Sequence, residues 1–256
     1  MTVATFYPNA HPESVSCDGQ VSQLYSSGSG KDWATIRGAA GNSAGDNGAA
    51  AQIYIGADSV TDKWITLSRI ILTFDTSSLP DTCTIVSATL YVRGYTKADT
   101  FGIAPNIALV KASPASNTDI VAGDYDSLML VGMSNNISYA SFSTTGWNAF
   151  PLNSDGRLQV SKTGITRFGL RNSNYDIGNH APAWTASGYS FFTIYMADQG
   201  VGYKPYLEVT YTTSTAYSQT FTAAIGLAPS IQSSMTHTGA YSQSFAVGIG
   251  LVPSIT

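Results

Sequence analysis

Between Asn172 and Ser187 the chain gathers Tyr175, Asp176, Asn179, His180 and Trp184 in a stretch rich in Asn, Ser, Gly and Ala. That mixture suits sugar recognition. Aromatic faces stack on the apolar side of a pyranose ring, while amides and carboxylates hydrogen-bond its hydroxyls. Long ordered loops are often functional. Tyr175, Asp176, Asn179 and Trp184 are therefore the expected glycan-binding set, with polysaccharide as the ligand. The plainer alternative has Trp184 capping the end of a sheet. Trp33, Trp64 and Trp147 stand in strand-like contexts and are expected in the core.

Catalysis needs positioned acids, bases or nucleophiles, and the sequence is poor in them. The histidines His11, His180 and His237 have no metal-ligand spacing, and no nucleophile elbow, phosphate loop or Cys/His cluster occurs. A glycosidase pair would have to come from acids such as Asp124, Asp126 and Asp176. The expectation is a non-enzyme with no catalytic residues and no cofactor. A structural calcium ion would suit an all-β chain, with Asp18, Asp46, Asn47, Asp58 and Asp62 as oxygen donors. Cys17 and Cys83 form either one disulfide or two buried thiols, and their positions do not decide between these. Asn136-Ile-Ser138 is the one N-glycosylation sequon.

The elements that must carry these residues read as strands. In Trp64–Phe74 the alternation puts Ile70, Leu72 and Phe74 on one face. Turn chemistry follows in Asp75–Asp81. A second strand, Thr84–Val92, then sets Val86, Ala88, Leu90 and Val92 opposite Ser87, Thr89 and Tyr91. Further strands are predicted at Gln20–Tyr25, Ala34–Gly38, Gln52–Ile55, Ile107–Lys111, Trp147–Leu152, Ile165–Arg171, Tyr189–Ala197 and Tyr206–Tyr211. At most one helix is expected, over Asp119–Leu128. About ten strands with many turns predict a two-layer antiparallel β-sandwich.

The run Arg69-Ile-Ile-Leu-Thr-Phe-Asp75-Thr-Ser-Ser-Leu-Pro80, followed by Ile85-Val-Ser-Ala-Thr-Leu-Tyr-Val92, resembles the core of the DNRLRE family. Gly146-Trp-Asn-Ala-Phe150, Gly164–Arg171 and Lys204–Tyr211 are similar to its later landmarks, so the resemblance spans Phe6 to Tyr211. It implies a jelly-roll module similar to carbohydrate-binding modules, of a kind used in cell-surface, polysaccharide-associated and phage proteins. The string that names the family does not occur in this chain.

Residues 214–256 form a distinct tail after a domain of residues 1–213. Ala216–Ile231 recurs as Ala240–Ile255, a period of 24 residues with 11 of 16 positions identical. No Asp, Glu, Lys or Arg follows Glu208. Each copy alternates as an extended strand. Tyr217, Phe221, Ile225 and Leu227 share one face of the first, and Tyr241, Phe245, Val247, Ile249 and Leu251 one face of the second. Strand edges meant to stay alone carry charges or bulges, and these carry no charge. The tail strands are expected to pair with each other on the sandwich, to join a neighbouring subunit by strand addition, or else to be disordered or part of a longer repeat array.

Charged residues are 11% of the chain, against about 25% in an average soluble domain. Ser and Thr number 60 and Gly 24, while Glu occurs only at positions 13 and 208. Such a composition suits strands and turns and points to an exposed life on a cell or particle. The net charge of −4 and the lack of any Lys/Arg cluster exclude nucleic acid as a partner. No apolar run reaches the ~20 residues of a membrane-spanning helix, and Met1–Pro8 is not an export signal. The sequence thus reads as a non-enzymatic structural or adhesive protein, extracellular or on a virion surface, self-associating through its tail. The alternative is a carbohydrate-binding module of a larger secreted protein.

Overall fold

A computed structural model describes residues 1–213, which are mostly antiparallel β-strand. The strands are β1 (Thr2–Phe6), β2 (Asp18–Leu24), β3 (Ser43–Gly45), β4 (Ala50–Ala57), β5 (Trp64–Asp75), β6 (Thr84–Asp99), β7 (Asn106–Ala112), β8 (Leu128–Gly132), β9 (Ile137–Ser138), β10 (Trp147–Pro151), β11 (Ile165–Asn172), β12 (Tyr189–Tyr195) and β13 (Tyr206–Thr212). Their order is β1-β13-β6-β12-β4-β5-β11-β7-β8, with β10 on β6, β2 on β5, β3 on β2 and β9 on β7.

The long strand β6 is the joint. Its first part pairs with β13 and β10, and its last part, from Gly94, pairs with β12. At the crossing the register slips, Thr193 facing Thr96 and Ile194 facing Gly94, so Tyr95 is the extra residue of a bulge. Glycine is required there because a Cβ on Gly94 would overlap the Ser143 carbonyl oxygen. Gly94→Ala is expected to cost about 1–3 kcal/mol, the range for overpacking, read as a lower denaturant midpoint. A wild-type midpoint would mean that the 143 loop yields freely.

Two apolar clusters follow from the alternation. In the first, Leu90, Val92, Phe150, Leu207 and Val209 from β6, β10 and β13 meet Ile53, Leu72, Phe74, Phe168 and Phe192 from β4, β5, β11 and β12. In the second, Leu67 and Ile71 of β5 join Val21, Ile55 and Val110, with Trp33, Ile36 and Tyr125 packed in. Strand β5 is therefore covered on both faces: Ile70, Leu72 and Phe74 serve the first cluster, as expected, and Leu67 and Ile71 the second. Burial of each such side chain is worth roughly 1.5–3 kcal/mol.

Several expectations are corrected. The segment read as a strand at Ala34–Gly38 is a short helix, α1 (Trp33–Gly38). Asp32 starts it, its carboxylate accepting from the Thr35 amide at 2.8 Å. Trp33 and Ile36, three apart on that helix, are its buried residues. More than one helical segment is present: a 3-10 turn at Ala122–Ser127 lies within the expected span, and α2 (Ser154–Leu158) begins at Asn153. Val86 does not share the inner face. Opposite β13, Thr210 faces Ser87 and Tyr211 faces Ile85, so Val86 is bulged out and is 40% exposed. Trp147 is not core: it is 37% exposed on the outer face of β10. Of the two alternatives for Cys17 and Cys83, the structure has the free buried thiols, one in each cluster. Burial pushes the Cys17 thiol up to about 12. His237 and the assembly residues from Tyr217 to Leu251 lie outside the described residues.

Candidate functional site

The loop expected to bind glycan begins with Asn172, whose side chain accepts from the Tyr175 amide at 2.9 Å and starts one turn, Ser173–Ile177. That turn drives Asp176 inward. The carboxylate is fully buried, and each oxygen accepts from two guanidiniums. Arg69 donates from Nε (2.9 Å) and Nη2 (2.8 Å), and Arg171 from Nε (2.8 Å) and Nη2 (2.7 Å). Burial acts to raise its pKa, but the Arg69 and Arg171 charges and hydrogen bonds prevail and hold it below the ordinary carboxylate range. Asp176 is thus a buried structural ion, not a surface hydrogen bonder for sugar. Arg69 also donates to the Tyr125 and Arg37 carbonyls and lies 3.7 Å from the centre of the Tyr125 ring.

The other three residues of that set have separate settings. Tyr175 and Trp184 are half-buried and packed against the second apolar cluster. Asn179 is exposed, at φ 53°. Tyr175 keeps His180 beside its ring, 5.0 Å between centres. Of the other acids weighed for catalysis, Asp124 accepts from the Ala115 amide, nine residues earlier, and from the Val121 amide at the start of its own turn, and Asp126 stands 4.0 Å from Arg69.

A different surface presents a row of aromatic side chains. On β6 the inward Leu90 and Val92 leave Tyr91 and Arg93 outward, and the bulge adds Tyr95, 53% exposed. Register sets Tyr206 of β13 opposite Tyr91, their rings stacked at 4.6 Å and 18°. It also sets Trp147 of β10 opposite Arg93, and Trp147 meets Tyr206 edge-on at 4.9 Å. Tyr7, 51% exposed, extends this end at 5.8 Å from Tyr206. Arg93 links the two ends, with its guanidinium carbon 5.9 Å from the Trp147 ring and 4.7 Å from that of Tyr203. Tyr203 packs edge-on against Tyr195 at 4.7 Å, and Tyr195 lies 4.9 Å from Tyr95. Burial against neighbouring rings, then the Tyr91 hydroxyl, raises the Tyr206 pKa, so it stays a neutral hydrogen-bonding phenol.

Chemically, this row offers flat apolar faces, phenol hydroxyls and one fixed cation, the donor set that stacks on and hydrogen-bonds a polyol. The signal was present in the sequence. Tyr91-Val-Arg93-Gly-Tyr95 alternates with the core residues of β6, and Tyr195, Tyr203 and Tyr206 are close neighbours. What the sequence lacks is the pairing of β6 with β10 and β13, which sets Trp147, Tyr203 and Tyr206 beside it.

The candidate calcium donors do not form one set. Asp58 accepts from the Gly28, Gly30 and Ser59 amides, which lower its pKa to about 2 and occupy both oxygens. Asn47 and Asp62 are exposed. Asp18 is fully buried, and Asp46 lies with His11 and Glu13. No family model and no curated protein matches the chain.

Proposed function

We propose that this chain is a non-enzymatic adhesive protein of an extracellular or virion surface, whose β head holds polysaccharide along the aromatic row centred on Tyr206, Trp147 and Arg93. The reading takes the β1-β13-β6-β10 group and the larger group around β5 as the layers of a jelly-roll-type sandwich, with the first apolar cluster between them. The observation that carries it is the continuity of the row. Rings within 6 Å of one another run from Tyr7 through Tyr206 to Trp147, and from Tyr203 through Tyr195 to Tyr95, with Arg93 over both ends. Rigid aromatic side chains that keep a half-exposed face carry most of the energy where they bind.

A glycan-array screen identifies the ligand, and affinity electrophoresis measures it. Trp147→Ala and Tyr206→Ala are each expected to weaken binding about tenfold or more, since an aromatic anchor is worth roughly 1.4 kcal/mol or above. Wild-type affinity in both variants would sink the proposal. The repeat favours a second role, self-association through residues 214–256. The alternative, a binding module cut from a larger secreted protein, requires no such assembly.

A further inference from the structure

The loop between β1 and β2 is pinned by Asn9, whose side-chain oxygen accepts from the Val15 and Ser16 amides at 3.0 Å each. The loop carries His11 and Glu13. His11 Nδ1, a Glu13 oxygen and an Asp46 oxygen all lie within 4.8 Å of one another. The His11 amide donates to Asp198 Oδ1 at 3.0 Å, and next to Asp198 the Ala197 amide donates to Asp18 Oδ2 at 2.8 Å. Asp46 Oδ2 accepts from the Ile120 amide at 3.1 Å, and Glu13 Oε2 stands 2.8 Å from His11 Nδ1.

Each carboxylate is thus held by one oxygen. The second oxygens of three of them, Glu13 Oε1, Asp18 Oδ1 and Asp198 Oδ2, are buried with no hydrogen-bond partner among the described residues. The Glu13 side chain is 3% exposed and Asp18 is 0% exposed, so bulk solvent does not reach them. Burial raises the Asp18 pKa to about 8; the Ala197 amide opposes this, while the nearby Asp198 and Glu13 charges add to it. Burying an unpaired carboxylate oxygen is costly, and a cation beside the Glu13 carboxylate would relieve that cost. Ligands on opposite sides of one calcium ion stand about 4.6–5.2 Å apart, given metal–oxygen distances of roughly 2.3–2.6 Å. The ligand atoms of His11, Glu13 and Asp46 lie within 4.8 Å of one another and so fit a single coordination shell.

We propose that His11, Glu13 and Asp46 form a binding site for a hard, oxygen-preferring divalent cation, calcium foremost, with Asp18 and Asp198 as acidic neighbours outside the ligand set. The cation would fasten the β1–β2 loop to the Asp46 turn. This site is independent of the aromatic row. The test is isothermal titration calorimetry of the full chain with calcium chloride, after chelator stripping and dialysis. One equivalent is expected to bind with Kd at or below about 1 mM, the range of extracellular calcium modules. The melting temperature is expected to rise by about 5 °C in 5 mM calcium. Glu13→Gln and Asp46→Asn are each expected to weaken binding about tenfold or more, while Asp58→Asn leaves it unchanged. Absence of binding to wild type up to about 5 mM, or equal affinity in Glu13→Gln and Asp46→Asn, would overturn the assignment.

Discussion

Asp176→Ala is expected to lower the unfolding free energy by about 3–5 kcal/mol, the cost of breaking a buried ion pair by removing one partner. The size comes from what remains. Arg69 and Arg171 are 1% and 3% exposed and would face each other without their shared anion. Their other bonds, to the Tyr125, Arg37 and Leu128 carbonyls, hold them in place and leave no path to solvent. Asp126 is the next acid, at 4.0 Å from Arg69 and half exposed, and it cannot replace a bidentate partner to both guanidiniums. Urea unfolding with an unchanged slope measures the loss. A loss under about 1 kcal/mol would mean that the arginines escape to water.

The same group sets an acid limit. Its folded pKa lies below the ordinary value, because Arg69 and Arg171 overcome the effect of burial. The unfolded carboxylate titrates near about 3.9. Its contribution is therefore fully present above that pH and is lost as the pH falls from there through the lower folded value.

Truncation after Thr213 is expected to abolish self-association while leaving the melting of the head unchanged, as read by sedimentation and thermal scans. Its physical basis is the sequence of the two repeats. Four or five large apolar residues share one face of each, and burying them is worth roughly 1.5–3 kcal/mol apiece. No charge guards either copy. An identical oligomeric state with and without residues 214–256 would contradict this role.

The strands around Ile70, Leu90, Phe168 and Val209 were legible because alternation and burial agree there. Val86 and Tyr95 were not, because a bulge moves a residue to the other face without changing the composition of its strand. The helix at Trp33–Gly38 carried its signal in Asp32, a capping residue, which outweighed the strand-like look of Thr35 and Ile36. Asp176 looked like any polar loop residue. Only the pairing of β5 with β11 sets Arg69 and Arg171 close enough to draw it inside. Glu13 and Asp198 lie near opposite ends of the described residues, so nothing local joins them. The aromatic row was half legible, as an alternation on β6 whose outer partners come from strands far along the chain.

The adhesive reading rests on which surface the ligand touches, and amide chemical-shift mapping during a polysaccharide titration answers that directly. Perturbations concentrated on Tyr91–Tyr95, Trp147, Tyr203 and Tyr206 are the expected result. Perturbations centred on residues 172–187 instead, or none with any glycan that the array selects, would contradict it.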